Sequence, residues 1–378
     1  MREQVGQMIQ IFSNTLGDAE LEAVRRVYER RWLGPGPEVA GFERDWKHHL
    51  GGTGTVLLTN CCTSAIHLAF SALGLGEGNE VIVPSIHFVS VASLLLLLGA
   101  RPVWADVDPH TLNLLPEEIE RLRTKRTRAV TLLHYGGHPC DMAAVWEQCV
   151  GLDIVEDAAN APASCYKGKA CGTLGTAGMW SFDPMKILVM GDGGALWMRD
   201  EATASRVCIL RYLGLALDTR SGMDRSATDG RWWEYEVDTL SSRYISNDIS
   251  AAIGRVQLTK LSGFIERRRW VWGTYQRELT GVGDLRLPPE PLEGCTSSYY
   301  LYWVQMAHRD ELAVHLKANG VYTTFRYYPL HLVKAFADGS QLQNAEWVNE
   351  HTLCLPIHQN LSDADVGQVI DAVRKFYK

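Results

Sequence analysis

The sequence predicts an α/β protein of two domains, a large domain built on a mostly parallel sheet and a smaller α+β domain at the carboxyl end. Three observations lead to this prediction. At 378 residues the chain is long for a single domain. Strand-like and helix-like segments alternate between residues 56 and 182, as in parallel sheets covered by helices. This alternation stops after about residue 240, so we expect domains at residues 1–240 and 241–378.

The chain begins with two predicted helices. From Asp18 to Arg31, apolar residues recur at every third position, which places them on one face of an amphipathic helix. A turn rich in Gly and Pro follows at residues 32–37. The second helix is expected to begin at Phe42.

A series of short apolar segments follows, separated by polar residues, Gly and Pro. Shorter segments have strand length, whereas those of about ten residues have helix length. The leucine run Leu94–Leu98 is far shorter than the ~20 residues that span a bilayer, so we expect it in a buried helix. The predicted strands are Val56–Leu58, Glu80–Val83, Val103–Ala105, Ala129–His134, Asp153–Val155 and Gly178–Phe182, and the predicted helices are Thr63–Leu73 and Val89–Leu98.

The pattern changes in the carboxyl-terminal part. Asn247–Leu279 is a long amphipathic stretch that predicts a helix, and a Pro-rich joint follows at residues 287–291. The loop Asp218–Glu236 is long for a compact domain, and such loops are usually functional or mobile. The remaining predicted elements are strands at Tyr299–Met306 and Val321–Phe325, with a helix at Asp310–Ala318 between them.

The composition argues against nucleic-acid binding, a membrane segment and a metal site. The net charge is −7, and the basic run Arg267–Arg269 is too short to form a duplex-binding surface. The nine cysteines show no repeated metal-ligand spacing. The amino terminus has no apolar signal core. We therefore expect a cytoplasmic protein with reduced thiols and no metal.

The first chemical signal is a polar turn at residues 59–65, between a predicted strand and a predicted helix. A helix N-terminus exposes unpaired N–H groups that suit a phosphate, and Thr63 and Ser64 add hydroxyl donors. Thr and Ser also cap many helices that bind no ligand, so this turn alone indicates little.

The second signal is Asp157, just past a predicted buried strand. A carboxylate at that edge lies where α/β proteins bind ligands. A pyridine cofactor needs such an acid beside its ring nitrogen, to keep the nitrogen protonated. An Asp that caps a helix explains the same position equally well.

The third signal is Lys186, which follows a predicted strand and Pro184 in an apolar context. A lysine nucleophile must be neutral to form an imine, and apolar surroundings would lower its pKa from about 10.4. A surface lysine is the common alternative. The flanking Met185 and Ile187 weigh against it.

These signals belong to a set of motifs that runs almost the whole length of the chain. The sequence resembles the aminotransferases that act on nucleotide-linked keto-sugars (the DegT/DnrJ/EryC1/StrS type), a branch of the fold-type-I pyridoxal-phosphate enzymes. So many matches in order are specific for the family but not for the substrate. The matching segments are residues 32–37, 42–43, 63–65, 80–85, 99–103, 106–109, 156–159, 181–182, Lys186, 257–258, 328–331 and 355–357.

The resemblance implies that Lys186 holds pyridoxal 5'-phosphate covalently and carries the proton, with Asp157 against the ring nitrogen. A related branch has histidine in place of this lysine and performs dehydration, so Lys186 favours transamination. The other implied cofactor contacts are Thr63, Ser64 and Ser181 at the phosphate, Phe88 on the ring face, Asn160 at the phenolic oxygen, and Ser242 and Arg243 from a partner chain. The implied substrate contacts are Trp32, Arg326, Tyr328 and His331.

The sequence departs from the family pattern at two places. Cys62 stands where many members have Gly, in the phosphate turn, and a thiol also fits such turns. Residues 241–245 read Ser-Ser-Arg-Tyr-Ile where many members have Gly-Tyr-Asn-Tyr-Arg. The usual cross-subunit Asn is therefore absent, and the identity of the partner-chain phosphate ligand stays open.

The implied reaction takes an amino group from an amino acid, expected to be glutamate, and gives it to a keto-sugar. By analogy the acceptor is a dTDP- or UDP-linked 4-keto-6-deoxy sugar, and the enzyme is a homodimer with shared active sites. A 3-keto-sugar or cyclitol aminotransferase is the alternative among enzymes. A regulatory protein that binds the cofactor without turnover is the alternative from another class.

Overall fold

The computed structural model describes residues 8–215 and 233–378, and in these a seven-stranded sheet forms the centre of the large domain. Its strand order is β1-β9-β8-β5-β4-β2-β3, and all neighbours from β8 to β3 pair in parallel. The predicted mostly parallel α/β fold is confirmed. The strands of the chain are β1 (Thr55–Thr59), β2 (Glu80–Pro84), β3 (Arg101–Ala105), β4 (Thr127–Leu133), β5 (Asp153–Asp157), β6 (Cys165–Tyr166), β7 (Lys169–Ala170), β8 (Ala177–Ser181), β9 (Gly194–Met198), β10 (Tyr302–Gln305) and β11 (Thr352–Leu355).

The helices include every predicted one, with one start misplaced. The second helix begins at Pro37, five residues before the predicted Phe42. Proline at the first helical position lacks an N–H that would be unpaired there anyway, and the Val39 N–H is capped by the Asp248 carboxylate at 3.0 Å. The helices are α1 (Asp18–Glu29), α2 (Pro37–His49), α3 (Cys62–Ala72), α4 (Val89–Leu97), α5 (Glu117–Leu122), α6 (Met142–Gln148), α7 (Glu201–Leu210), α8 (Asp248–Leu279), α9 (Arg309–Ala318), α10 (Gln343–His351) and α11 (Asp363–Phe376).

The strand predictions are incomplete. The sequence did not predict β6, β7, β9 and β11, and of these β9 runs antiparallel to both β1 and β8, second from one edge of the large sheet. Val321–Phe325 was predicted as a strand, but it makes only isolated bridges, from Val321 to Ile9 and from Thr324 to Cys354. The strand that pairs with β10 is β11, from much later in the chain.

The leucine run of α4 is helical but only partly buried. Leu94 and Leu95 pack in the core, whereas Leu97 is 78% exposed. In the parts of the chain that the structure describes, every helix is too short or too polar to cross a membrane. Most of the predicted long loop at 218–236 lies outside the described residues.

A second apolar core lies in the carboxyl-terminal part, between the end of α8, α9, α11 and the β10–β11 pair. The helix α8 belongs to both cores, since its first half packs on α1 and α2 and its second half on α11. The division of the chain at residue 240 stays a prediction.

The parallel strands end at one edge of the large sheet. Thr59, Asp157 and Ser181, the last residues of β1, β5 and β8, lie at this edge, and β9 starts there at Gly194. Side chains from distant parts of the sequence therefore meet at the carboxyl edge, where ligands bind in open α/β sheets.

Candidate active site

A cavity of about 240 Å³ opens at the carboxyl edge of the large sheet. Its walls come from the turn before α3, the end of β5, the turn after β8, and a segment of the second domain. Six residues predicted as site residues line it, namely Thr63, Phe88, Asp157, Ser181, Lys186 and Arg326. The other lining residues are Cys61, Cys62, Ile66, Ser90, Ala159, Asp183, Met185, Asp192 and Tyr327.

Lys186 projects from the turn after β8, where its backbone N–H donates to the Asp183 carbonyl at 2.9 Å. Its Nζ donates to Asn160 Oδ1 at 3.1 Å and lies 4.8 Å from the centre of the Tyr300 ring. The lysine is thus held between an amide and an aromatic face, and not on the open surface.

The charge state of Lys186 differs from the sequence expectation. Burial by itself would lower the pKa of Lys186, but Tyr300, Tyr327 and the Asp157 carboxylate outweigh it and raise that pKa above its ordinary value. The expectation of a lowered pKa considered only the apolar neighbours in sequence and is wrong for the protein alone. Tyr300 and Tyr327 contribute more to this rise than Asp157 does.

Asp157 ends β5 and is 4% exposed. One carboxylate oxygen accepts the Ala159 N–H at 2.9 Å, and the other lies 3.7 Å from His87 Nε2. Burial lowers the pKa of His87, although Asp157 acts to raise it, so the imidazole is neutral. Asp157 lines the cavity, and the neutral His87 imidazole beside it supplies no balancing positive charge.

Glu156, next to Asp157, fixes the end of β5 from the opposite face of the sheet. Its carboxylate is fully buried and accepts the backbone N–H groups of Gly172, Leu174 and Gly175 at 2.8, 2.6 and 2.5 Å. It also lies 3.0 Å from His134 Nε2. Glu156 lies in one of the segments that match the family, but the sequence predicts no role for it, because most of its partners are backbone groups.

The turn before α3 is shaped to receive an anion. Cys61 is the N-cap residue and its side chain makes no capping hydrogen bond, so the first-turn N–H groups remain available. A Cβ at Gly194 would lie 2.5 Å from Cys62 N, so only glycine lets β9 start this close to the turn. Thr63 and Ser181 face the cavity, whereas Ser64 is buried beside Cys61 Sγ at 3.3 Å and does not line it.

Two further carboxylates, Asp183 and Asp192, line the same cavity. Burial raises the pKa of Asp192, and the nearby Asp183 adds to this. Lys186 and Arg326 are the only cationic side chains among the described residues that line the cavity. An anion bound near the α3 turn would therefore have little positive charge around it within the described part of one chain.

Asn160 is fully buried beside the lysine. Its Oδ1 accepts from Lys186 Nζ at 3.1 Å and from the Tyr327 hydroxyl at 3.4 Å. Its Nδ2 is buried and has no acceptor among the residues that the structure describes. Phe88, 48% exposed, lies at the mouth of the cavity with its ring centre 5.9 Å from that of Tyr327.

His331 lies behind the cavity wall. Its ring is held between Ser85 Oγ at 2.6 Å and Glu346 Oε1 at 3.2 Å, and the residue is 2% exposed. Both ring nitrogens have partners in this position, and the residue does not line the cavity. Its predicted substrate contact stays a prediction.

The structure of one chain does not bring the remaining predicted residues into the cavity. Ser242 and Arg243 are exposed on a segment that runs beside the end of α7, where Arg243 lies over the Tyr212 ring at 5.6 Å. Trp32 and Tyr328 are 59% and 53% exposed. Their predicted roles stay predictions.

Sequence reasoning missed Tyr327, which lines the cavity next to the exposed Tyr328. Either tyrosine fits the motif, and only the backbone geometry decides which one faces inward. It also missed Tyr300 beneath the lysine, which no nearby motif marks. Groups of three or more metal-ligand side chains do not occur within residues 8–215 and 233–378.

Comparisons with known proteins give matches over nearly the whole chain. The family model described as the DegT/DnrJ/EryC1/StrS aminotransferase family matches residues 14–374. The chain is 43% identical, over 97% of its length and 96% of the relative's, to dTDP-4-dehydro-2,3,6-trideoxy-D-glucose 4-aminotransferase of Saccharopolyspora spinosa. It is 33% identical, over 96% of its length and 95% of the relative's, to the spore coat polysaccharide biosynthesis protein SpsC of Bacillus subtilis. The crystal structure of the aminotransferase TlmJ from Streptoalloteichus hindustanus superposes with a TM-score of 0.92 at 49% identity, covering 97% of this chain and 98% of that chain.

Proposed function

Because this chain belongs to the DegT/DnrJ/EryC1/StrS aminotransferase family, we propose that it moves an amino group from glutamate to the 4-keto carbon of a dTDP-linked deoxysugar. The observation that carries the choice of sugar is the 43% identity, over nearly the whole chain, to the Saccharopolyspora spinosa enzyme named for such a sugar. Aminotransferases of this family depend on pyridoxal phosphate, and that is the cofactor of this chain.

The residues of the cavity fit this cofactor. Asn160 Nδ2 is a buried donor with no acceptor among the described residues. The phenolic oxygen of the cofactor would supply that acceptor. The α3 turn offers N–H groups for a phosphate, and Asp157 offers a carboxylate for a ring nitrogen. We propose that Lys186, Asp157, Asn160, Phe88, Thr63 and Ser181 hold the cofactor. When bound, pyridoxal phosphate supplies an electron sink that stabilises negative charge on the substrate carbon.

The protein groups then hold and move the proton. We assign the proton transfer to Lys186 Nζ, which Asn160 Oδ1 orients at 3.1 Å. Tyr300, Tyr327 and the Asp157 carboxylate together raise the pKa of Lys186 and favour its protonated form. Pairing of Asp157 with a cationic group of the cofactor would remove part of this effect and would lower the pKa of the lysine.

We propose that the enzyme is a homodimer and that the partner subunit completes the phosphate site. Asp183 and Asp192 line the cavity, and a phosphate dianion beside them needs a cation. Arg243 is exposed, and the family resemblance implies that its segment carries the cross-subunit donor. A guanidinium matches phosphate geometry, so the partner subunit's Arg243, with Ser242, is our candidate. The competing role for Arg243 is a contact with the diphosphate of the sugar nucleotide.

We also propose a cytoplasmic location. Cys140, Cys171 and Cys354 are buried thiols that form no disulfide, as is usual in a reducing compartment.

The proposed substrate is tested with a panel of dTDP- and UDP-linked 3-keto and 4-keto sugars, each incubated with glutamate and the cofactor-loaded protein. We expect the dTDP-linked 4-keto sugar to gain an amine, detected by mass spectrometry, with an equal amount of 2-oxoglutarate. Lys186→Ala is the control and should form no product. Amination of a 3-keto sugar or a keto-cyclitol, with no amination of any 4-keto sugar, would contradict the proposal.

A further inference from the structure

The segment of residues 8–17, here called the strap, runs in an irregular extended form between the two cores and past the cavity. At one end Ile9 hydrogen-bonds with Gly320 and Tyr322 at 2.8 and 2.9 Å. Further along, Asn360 Nδ2 donates to the Asn14 carbonyl at 2.5 Å, and Asn14 Nδ2 donates to the Pro184 carbonyl at 3.4 Å. The strap is thus tied to the second domain and to the turn that carries the lysine.

Phe12 is the strap residue that reaches the site. Its ring stacks on Tyr300, with 5.3 Å between ring centres and 18° between planes. The guanidinium of Arg326 lies 4.9 Å from the centre of the Phe12 ring and 5.5 Å from the centre of the Tyr327 ring. Both distances are within the range of a cation–π contact.

These contacts close into a ring of six residues, of which Lys186, Arg326 and Tyr327 line the cavity. Lys186 lies over the Tyr300 ring, and the Tyr300 ring stacks on Phe12. Arg326 lies over the Phe12 ring. Arg326 lies over Tyr327, whose hydroxyl donates to Asn160, which in turn accepts from Lys186. Phe12 is the only member of this ring from the strap, and it does not itself line the cavity.

We propose that Phe12 is a positioning residue that holds Arg326 in place to bind an anionic group of a substrate. This inference rests on the proposed aminotransferase function and adds a residue to it. Arg326 lines the cavity and forms no ion pair with a carboxylate of the described residues. Its guanidinium is held instead by the Phe12 and Tyr327 rings and by a hydrogen bond with the Tyr327 side chain. A guanidinium in this state is available to a carboxylate or a phosphate.

Two substrate groups share this chemistry, the carboxylates of the amino donor and the diphosphate of the sugar nucleotide. The loss of one cation–π contact at a partly desolvated site weakens anion binding by about two- to thirtyfold. The test therefore measures two non-reacting probes separately, glutarate for the donor and dTDP for the sugar nucleotide.

The experiment compares Phe12→Leu with Phe12→Tyr in the cofactor-loaded protein, using calorimetry for the two probes and KM and kcat for the reaction. We expect Phe12→Leu to weaken one probe by about two- to thirtyfold and to raise the matching KM more than it lowers kcat. Phe12→Tyr keeps the aromatic face and should bind that probe as the unchanged protein does. In an Arg326→Gln background, Phe12→Leu should have no further effect.

Thr15→Val is the matched control on the strap, because it removes the 2.5 Å contact from Thr15 Oγ1 to Asn360 and leaves Phe12 in place. It should bind both probes normally. Phe12→Met replaces Phe12→Leu if the latter does not fold, as judged by its thermal transition. Unchanged binding of both probes in the folded Phe12 variant, or an equal loss with and without Arg326, would overturn the proposal. If the unchanged protein binds the probes but aminates no keto-sugar, the proposed function is contradicted. The role of Phe12 is then decided by the binding of glutarate and dTDP to its variants.

Discussion

Asp157→Asn is the substitution whose effect follows most directly from the structure. The amide keeps the shape of the side chain and can keep the 2.9 Å contact with the Ala159 N–H, so the fold should be unchanged. What it removes is a charge at a position that is 4% exposed. Losing one preorganised group that stabilises charge in the transition state costs about 3–4 kcal/mol, so we expect the rate to fall by about 10²–10³-fold.

The same variant should change the lysine in the cofactor-free protein. The Asp157 carboxylate is one of the groups that raise the pKa of Lys186, so its loss should lower that pKa. The pKa of Lys186 can be measured by reductive methylation with ¹³C-formaldehyde, after which the chemical shift of the methyl groups is followed against pH. Asp153→Asn, at the opposite end of β5, is the control and should change neither quantity. A turnover rate close to that of the unchanged enzyme, or an unaltered pKa of Lys186, would refute the role given to Asp157.

Three further predictions concern the lysine, the acid stability and the dimer. Borohydride reduction of the cofactor-loaded protein should fix the cofactor to Lys186, as read by peptide mass spectrometry, and Lys186→Ala should have no turnover; labelling of another lysine would show that the assignment is wrong. Burial lowers the pKa of His138 and of His358 to about 4, so between pH 6.5 and about 4 the unfolded chain binds protons that the folded chain does not. The free energy of unfolding should therefore fall as the pH falls through this range, and His358→Gln should reduce that slope in urea titrations; an identical slope would exclude His358 as a contributor. Arg243→Ala should lose cofactor, and mixing it with Lys186→Ala should restore one working site per heterodimer; heterodimers without activity would confine the site to one chain.

The sequence predicted the parts of the site that follow strands and missed the parts that arise from distant contacts. Asp157 and Lys186 were found because Asp157 ends β5 and Lys186 lies in the turn after β8, and parallel strands end at one edge of the sheet. Tyr300 and Phe12 were missed because their ring contact joins residues that are nearly 300 positions apart. The lowered pKa expected for Lys186 failed for the same reason, since the groups that raise it, Tyr300, Tyr327 and Asp157, are distant from it in sequence.

The errors in the fold also have local causes. The strand β9 begins at Gly194, in a glycine-rich stretch that disfavours a strand prediction. That glycine is required by the close approach to Cys62 and not by a turn. Val321–Phe325 has the apolar alternation of a strand, but it makes only single bridges, from Thr324 to Cys354 in β11 and from Val321 to Ile9.

The helix α8 makes the second domain inseparable from the first. It runs for 32 residues, about 48 Å without a break, from a contact with α1 and α2 to a contact with α11. A cut before α8 would leave the apolar face of Ala251, Ala252 and Leu261 uncovered, and a cut after it would remove Val271 and Tyr275 from the second core. Neither half should therefore fold when it is separated from the other. Chimeras made by exchanging the carboxyl-terminal halves of relatives, in order to exchange substrate specificity, should be insoluble unless α1 and α2 are exchanged together with α8.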